Sequence, residues 1–305
     1  MINVCTLGTG GSIPMPDRAL SSLYLRHSGR ALLIDCGEGT QTQIRRLGWG
    51  FLCIDGLLIT HYHGDHCGGL PGFLLSLDKA GRKAPFPIYG PVGLHHIIEG
   101  LMVIAPALSF PLELHELPMH GAHFEVCGLS VDAFPLDHGV PCLGYRLELP
   151  RPPKFDPQRA AALGIPMRCW GLLQNGSTVQ ADGRTYHPEQ VLGQPRRGLS
   201  LLYATDTRPV PAIADMGAGT DLMVLEGMYG DDAKLPQALK NHHMLFREAA
   251  ALAAQAGARQ LLLTHFSNSL ETPVDFLEQA QAVFPQTVLG EDLFTLSLNY
   301  QQERA

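Results

Sequence analysis

The sequence predicts an α/β fold, and three features point to it. Short apolar runs bounded by Gly, Pro or Asp read as strands. Helix-compatible segments lie between them, and strands interleaved with helices indicate α/β layering. The third feature is an echo: in both halves strand-like runs lead into a His or Asp, which suggests a two-layer core of approximate internal symmetry.

In chain order, Ile2 to Leu7, Leu23 to Leu25, Ala31 to Ile34, Gly56 to Ile59 and Leu129 to Leu136 are the expected strands of the first half. Gly39 to Leu47, Gly69 to Lys79 and Gly93 to Met102 are the expected helices. Arg151 to Gly198 breaks the pattern. It opens among Pro150, Pro152, Pro153 and Pro157, has few long apolar runs and closes on Arg196-Arg197. A stretch this long with little core character reads as an inserted arm, protruding from a single domain that spans 1–305. Alternation then resumes with strands at Leu201 to Ala204, Leu222 to Glu226 and Leu261 to Leu263. The matching helices are an Ala-rich one from Met244 to Gln255, stopped by Gly257, and one near Val274 to Val283.

A chain of 305 residues can bury a full core. Its composition, 45% apolar and 17% charged, is ordinary for a globular protein. The net charge of -7 argues against general nucleic-acid affinity, which depends on Lys and Arg neutralising phosphates, and leaves room for a local basic patch. Seven scattered cysteines without a C-x-x-C pair suggest buried free thiols rather than a zinc knuckle or redox motif. No apolar run approaches a membrane span, and Met-Ile-Asn-Val leads straight into a strand-like run. The expected compartment is the cytoplasm, with reduced cysteines and no membrane partner.

The most informative stretch is T-H-Y-H-G-D-H-C-G-G at Thr60 to Gly69, where His61, His63, Asp65 and His66 form H-x-H-x-D-H. A lone His is more often a hydrogen-bonded core or surface residue than a ligand. Four metal-competent side chains in six residues reverse that expectation. In an extended segment His61 and His63 point the same way, while a turn at Gly64 swings Asp65 and His66 toward a second ion. Nitrogen and carboxylate ligands suit zinc, with manganese or iron as alternatives. Three further candidates end apolar segments: His138 in P-L-D-H-G-V-P, Asp206 in Y-A-T-D-T-R-P and His265 in L-L-L-T-H-F-S. Singly each is an ordinary turn residue or cap; together they complete two ligand sets that could share one carboxylate.

The chain resembles the metallo-β-lactamase superfamily, and more closely its ribonuclease Z branch. The anchors are L-G-T-G-G-S-I-P at Leu7 to Pro14, D-C-G-E-G-T-Q at Asp35 to Gln41, the histidine motif continued as L-P-G to Gly72, D-T-R-P at Asp206 to Pro209 and T-H-F-S at Thr264 to Ser267. The resemblance implies an αβ/βα sandwich, two mixed β-sheets flanked by helices with the metals at one edge, plus the arm as an RNA exosite. It implies two Zn2+ per chain: His61, His63 and His138 on one, Asp65, His66 and His265 on the other, and Asp206 bridging. It also implies a homodimer acting on precursor tRNA, in which one subunit's arm holds substrate for the other's site.

Such enzymes place a histidine six residues before an Ala-Ala pair, and counting back from Ala249-Ala250 selects His243 over His242, which becomes a cap or surface residue. The implied chemistry is phosphodiester cleavage by a metal-activated water, with Asp65 as proton acceptor and His243 as donor to the departing ribose oxygen. Glu226 either orients His243 or acts as a buried cap or salt-bridge partner. The expected activity is release of the 3' trailer from precursor tRNA, leaving a 3'-hydroxyl.

Two stretches depart from the family pattern: Gly164-Ile165-Pro166-Met167-Arg168-Cys169-Trp170 where the arm carries a Gly-Pro pair, and Asn268-Ser269-Leu270 where many members have Arg-Tyr. They keep open a phosphodiesterase or sulfatase-like hydrolase of small or cyclic-nucleotide substrates. An alternative of another class is a non-catalytic, metal-stabilised RNA- or partner-binding protein. In the arm, Arg151, Lys154, Arg159, Arg168, Arg184, Arg196 and Arg197 offer phosphate contacts or a solvated face. Trp170 and Tyr186 offer stacking surfaces for unpaired bases or ordinary packing.

Overall fold

A computed structural model describes residues 1–300, which divide into two compact units, Met1–Glu148 with the described residues from Ser200 onward, and Leu149–Leu199. The first half supplies β1 (Ile2–Gly8), β2 (Ser22–His27), β3 (Arg30–Ile34), β4 (Ile54–Leu58), β5 (Phe86–Pro91), β6 (Leu112–Leu117), β7 (Ala122–Val126), β8 (Leu129–Pro135) and β9 (Leu143–Arg151). A small hairpin, β10 (Val179–Ala181) and β11 (Arg184–Tyr186), belongs to the second unit. It is followed by β12 (Arg196–Ala204), β13 (Leu222–Glu226), β14 (Leu261–Thr264), β15 (Thr287–Leu289) and β16 (Phe294–Leu298).

In the larger unit these strands form two seven-stranded mixed sheets, ordered β16-β1-β2-β3-β4-β5-β6 and β15-β14-β13-β12-β9-β8-β7. Each sheet packs its own helices. The first buries α1 (Thr40–Leu47), α3 (Leu70–Lys79) and α4 (Leu94–Met102) through Ile44, Phe73, Leu74, Leu77, Leu94 and Ile98; the short α2 (Gly64–Cys67) precedes α3. Across the second sheet lie α7 (Pro211–Met216), α9 (Phe246–Ala256) and α10 (Leu277–Val283), and between α7 and α9 runs α8 (Leu235–Asn241). Ala249, Ala250, Ala253 and Ala256 give α9 a face of small buried side chains that lets it lie close to the sheet. Where the sheets face each other, Tyr145 of β9 donates its hydroxyl to the Ile59 carbonyl at 2.6 Å and the Leu143 N–H donates to the Thr60 carbonyl at 2.9 Å. The end of β4 is thereby pinned to the opposite sheet.

The α/β reading of the sequence holds, with two large mixed sheets flanked by helices. Several strands lie where no apolar run announced them. Those at β6 and β16 alternate polar and apolar residues, and β5 carries two prolines, Pro87 and Pro91. The seven cysteines are free thiols, six of them buried. No helix among the described residues is long and apolar enough to cross a membrane.

The second unit corrects the expectation of little core character. It contains α5 (Pro157–Ala162), started by an Asp156 side chain that accepts the Arg159 N–H, and α6 (Trp170–Gln174). Ala160, Ile165, Cys169, Leu173, Val179, Ala181, Tyr186 and Val191 form its own buried cluster. These apolar residues are dispersed singly along the sequence, so no run revealed them. Tyr186 is buried in that cluster, while Trp170 packs against Phe155 and donates its indole N–H to the Ile165 carbonyl at 2.9 Å. Tyr186 is thus taken up by packing, and Trp170 is partly buried against the cluster. Replacing Leu173, fully buried in this cluster, by Ala should destabilise the unit by about 2–5 kcal/mol. Hydrogen exchange should then accelerate among its amides; unchanged protection there would show that the cluster does not hold the unit together.

Candidate metal centre and active site

Most residues of the site sit where a strand ends, and the rest lie on α2 or in the connection from α8 to α9. Asp35 follows β3, His61 follows β4, His138 follows β8, and the parallel strands β12, β13 and β14 deliver Asp206, Glu226 and His265 to one edge. The carboxyl ends of parallel strands are where α/β sheets place their chemistry. Three of these residues, Asp35, Asp206 and His265, have φ of 60°, 57° and 55°. Left-handed backbone costs a non-glycine residue roughly 1–2 kcal/mol. Its concentration here marks a place where side-chain direction overrides backbone comfort.

The H-x-H-x-D-H stretch splits as its spacing suggested. His63 caps α2 in extended backbone, and Asp65 and His66 lie within that helix. His61 Nε2 and His63 Nδ1 are 3.0 Å apart, and His138 Nε2 is 3.2 Å from His63 Nδ1. His66 Nε2 and His265 Nε2 are 3.1 Å apart, with Asp65 Oδ2 at 3.6 and 3.4 Å from them. Asp206 lies between the two groups. Its Oδ1 is 3.2 Å from His66 Nε2 and 3.1 Å from His265 Nε2, while its Oδ2 is 3.6 Å from His138 Nε2 and 3.9 Å from His61 Nε2. All seven sequence-predicted residues therefore converge, His61, His63 and His138 in one group and Asp65, His66, Asp206 and His265 in another, with His243 within reach of both.

These donors fit metal ions. Bonds of about 2.0–2.1 Å in a tetrahedral site put neighbouring ligand atoms roughly 3.4 Å apart, close to the separations found here. Asp206 Oδ1 and His265 Nδ1 are buried without a hydrogen-bond partner, a state that costs free energy unless a cation or another donor meets the group. Ring nitrogens and carboxylate oxygens crowd together with too few protons to pair them all. Burial opposes charge on Asp206, but the surrounding His265, His66 and His61 outweigh it and hold the carboxyl well below its usual range.

Asp35, whose role the sequence did not reveal, organises both groups. It is fully buried and its Oδ2 accepts from His66 Nδ1 at 2.8 Å. Its Oδ1 accepts the Thr60 N–H at 2.8 Å and the Thr60 hydroxyl at 3.0 Å, and that hydroxyl lies 3.1 Å from His61 Nδ1. With Thr60 donating to Asp35 it accepts from His61 Nδ1–H, so each ring in its neutral form would present an unprotonated Nε2 to the centre. The only sequence signal was its position, an Asp at the end of a strand before C-G-E-G. The Ser12 N–H donates to Asp65 Oδ2 at 2.6 Å from a loop where a Cβ on Gly11 would lie 2.5 Å from the His265 ring. Glycine is needed at that close approach.

His243 adjoins the centre, its ring stacked on His265 with centroids 5.8 Å apart and 5.2 Å from that of His138. Its Nδ1 donates to Glu226 Oε2 at 3.0 Å. Burial disfavours the imidazolium, but the Glu226 carboxylate outweighs it and the pKa rises to about 9. Glu226 also accepts the Thr207 N–H at 2.6 Å and the Met244 N–H at 3.0 Å, so it both orients His243 and ties down two loops. His242 faces outward as the left-handed cap of α8, paired with Asp137 at 2.9 Å.

Two mixed sheets with this strand-end His/Asp centre define a hydrolase of the metallo-β-lactamase superfamily. Residues 179–266 match a family model described as a β-lactamase superfamily domain, and residues 2–96 match one described as the anti-Pycsar protein Apyc1. A ribonuclease Z of Lachnospira eligens is 45% identical over 99% of this chain and 100% of its own length. One of Lachnoclostridium phytofermentans is 43% identical over 99% of each. The human tRNase Z, short form, is similar with a TM-score of 0.72 at 26% identity, covering 98% of this chain and all of that one. The chain belongs to the ribonuclease Z family.

Replacing Asp35 by Ala should weaken metal binding by roughly 10- to 100-fold, the usual effect of losing a group that orients a ligand histidine. If each group holds an ion, chelator competition should show the loss at both, because one histidine of each group leans on this carboxylate. One ion retained at native affinity would show that Thr60 holds His61 unaided.

Proposed function

We propose that the protein is a metal-dependent endoribonuclease that removes the 3' trailer from precursor tRNA and leaves a 3'-hydroxyl on the tRNA, working as a cytoplasmic homodimer with two zinc ions per chain. Membership of the ribonuclease Z family supports the substrate. The observation that supports the two-ion site best is Asp206, whose two oxygens face different imidazole groups. In this reading His61, His63 and His138 hold one ion, Asp65, His66 and His265 hold the other, and Asp206 bridges them. When bound, such a pair supplies the positive charge that acidifies a water and stabilises oxygens of the phosphodiester.

The chain's own groups then move the protons. Asp65, whose Oδ2 accepts the Ser12 N–H at 2.6 Å, would accept the proton of the attacking water. His243, protonated at neutral pH through Glu226, donates from Nε2 to the departing ribose oxygen. The body carries a net negative charge, so phosphate contacts fall to local basic residues; the expected ones are those of the second unit, 149–199.

Purified, zinc-loaded protein incubated with a precursor tRNA bearing a 3' trailer should release the trailer and leave a 3'-hydroxyl. Turnover of bis(4-nitrophenyl) phosphate without cleavage of the RNA would instead favour the small-substrate reading that Gly164-Ile165-Pro166 leaves open. Asp206→Ala should lose both ions together, and loss of a single ion would point to another bridge. For pH dependence the sign follows from His243: a donor with a raised pKa is active below it and lost as pH rises through it. Glu226→Gln should therefore move the alkaline limb of kcat to lower pH. A limb that stays in place would remove His243 from the proton transfer.

A further inference from the structure

We propose that Arg208 is a positioning residue for His243, its guanidinium fixing the short backbone segment that aims the imidazole. The inference rests on the reading of His243 as proton donor. His243 lies in the connection between His242, the left-handed cap of α8, and Leu245, the N-cap of α9. Such a connection has no helical hydrogen-bond pattern of its own, so its course depends on what holds its polar groups.

The His243 N–H is taken by the Ala238 carbonyl at 2.9 Å and the Met244 N–H by Glu226. The His243 carbonyl is held by Nη1 of Arg208. The same Nη1 donates to Glu248 Oε2 at 2.9 Å and Nη2 donates to Glu248 Oε1, a bidentate pair. Glu248 Oε2 in turn accepts the Leu245 N–H at 2.9 Å. One guanidinium therefore braces the segment on both sides of Met244, directly at His243 and through Glu248 at Leu245.

The other end of the brace is anchored in the centre. Arg208 stands two residues after Asp206, and its main-chain N–H donates to the Asp137 carbonyl at 2.9 Å, next to His138. Its side chain is 15% exposed and that of Glu248 22%, so the pair is largely shielded from water. A planar fork with donors at fixed angles can serve a carbonyl and a carboxylate at once; a lysine ammonium, a point charge on a flexible stem, holds neither direction rigidly. Arg208 thus sets the imidazole relative to the same loop that carries Asp206, through a guanidinium whose hydrogen-bond partners are the His243 carbonyl and Glu248. A displacement of about 1 Å in a catalytic group can cost roughly a hundredfold in rate.

The test separates aim from folding by varying the leaving group. Departure of 4-nitrophenolate needs no proton, whereas departure of phenolate or a ribose oxygen does. Arg208→Ala, Arg208→Lys and Glu248→Gln would be compared with the unaltered protein and with His243→Ala on bis(4-nitrophenyl) phosphate, on a phenyl phosphodiester and on precursor tRNA. Metal content and melting temperature would be recorded alongside. Arg208→Ala and Glu248→Gln should lose roughly 10- to 100-fold on the phenyl ester and the RNA but under about threefold on the 4-nitrophenyl ester, within the range that general-acid help supplies. Arg208→Lys should fall between, and metal content should not change. Adding Arg208→Ala to His243→Ala should cost nothing further, since a brace has no use without its imidazole.

An equal fall on every substrate, or no fall, would overturn the proposal. Should Arg208→Ala fail to fold, Arg208→Lys and Glu248→Gln decide the matter by the same pattern. His243→Ala keeps the two readings apart. If it shows the leaving-group dependence and the Arg208 and Glu248 variants do not, the brace is wrong and the proton donor stands; if it shows none, the proton-donor reading itself fails.

Discussion

The Asp206 carboxylate, buried between two groups of imidazoles, is the constraint on which the rest of the molecule depends. An anion in this position is expensive to desolvate, and its stability requires positive charge on two sides. Nitrogen atoms of His66 and His265 approach one oxygen within 3.2 Å, and those of His138 and His61 lie 3.6 and 3.9 Å from the other. Bringing so many acceptors together repels unless cations sit among them. The fold therefore has to hold the arrangement rigidly from outside. It does so with strands that stop at one edge and with strained backbone at Asp35, Asp206 and His265. Asp35 adds the shared support, reaching His66 directly and His61 through Thr60. One buried carboxylate thus orients a ligand in each group, which couples the two halves of the centre before any ion binds.

How much of this could be read in the sequence follows from how locally each feature is encoded. His61, His63, Asp65 and His66 were legible because the geometry that groups them is contained in six residues. His138, Asp206 and His265 are dispersed, and only their strand-end positions and the family resemblance joined them to the motif. Asp35 and Arg208 were quoted within motifs without a role, because both act through hydrogen bonds to residues far away in the chain. The same limit applies to strands. Leu222 to Glu226 is buried along its whole length and reads as an apolar run. At β6 the sequence L-E-L-H-E-L alternates between faces at the edge of a sheet, and its partner is supplied by β5, a segment with Pro at two positions.

The second unit shows a related limit. Sequence patterning suggested a segment without a core, yet dispersed residues such as Ile165, Leu173 and Val191 meet in a cluster of their own. Tyr186 belongs to that packing and Trp170 lies against its edge, the ordinary packing that the sequence leaves open for both rings. The unit's arginines and Lys154 would make contacts of charge with phosphates. Contacts of that kind position a nucleic acid without reading its sequence.

His66 and His243 share a design and differ in consequence. Each donates Nδ1 to a buried carboxylate, Asp35 at 2.8 Å and Glu226 at 3.0 Å, the arrangement that orients a metal ligand as readily as an acid. For His66 the largest of the attractions that favour its proton comes from Asp206, a carboxylate whose charge a bound cation would take over. Its Nε2 is then free to be a ligand. For His243 the corresponding attraction comes from Glu226, whose oxygens are already occupied by the Thr207 and Met244 amides and by the imidazole itself. Glu226 thus keeps its charge among three donors; His243 lies close enough to join a metal group, but as an imidazolium it has no lone pair to offer one. On the proposed reading the same side chain, backed by the same kind of partner, would serve as a ligand beside Asp206, whose charge ions would share, and as an acid beside Glu226, whose charge stays with hydrogen-bond donors.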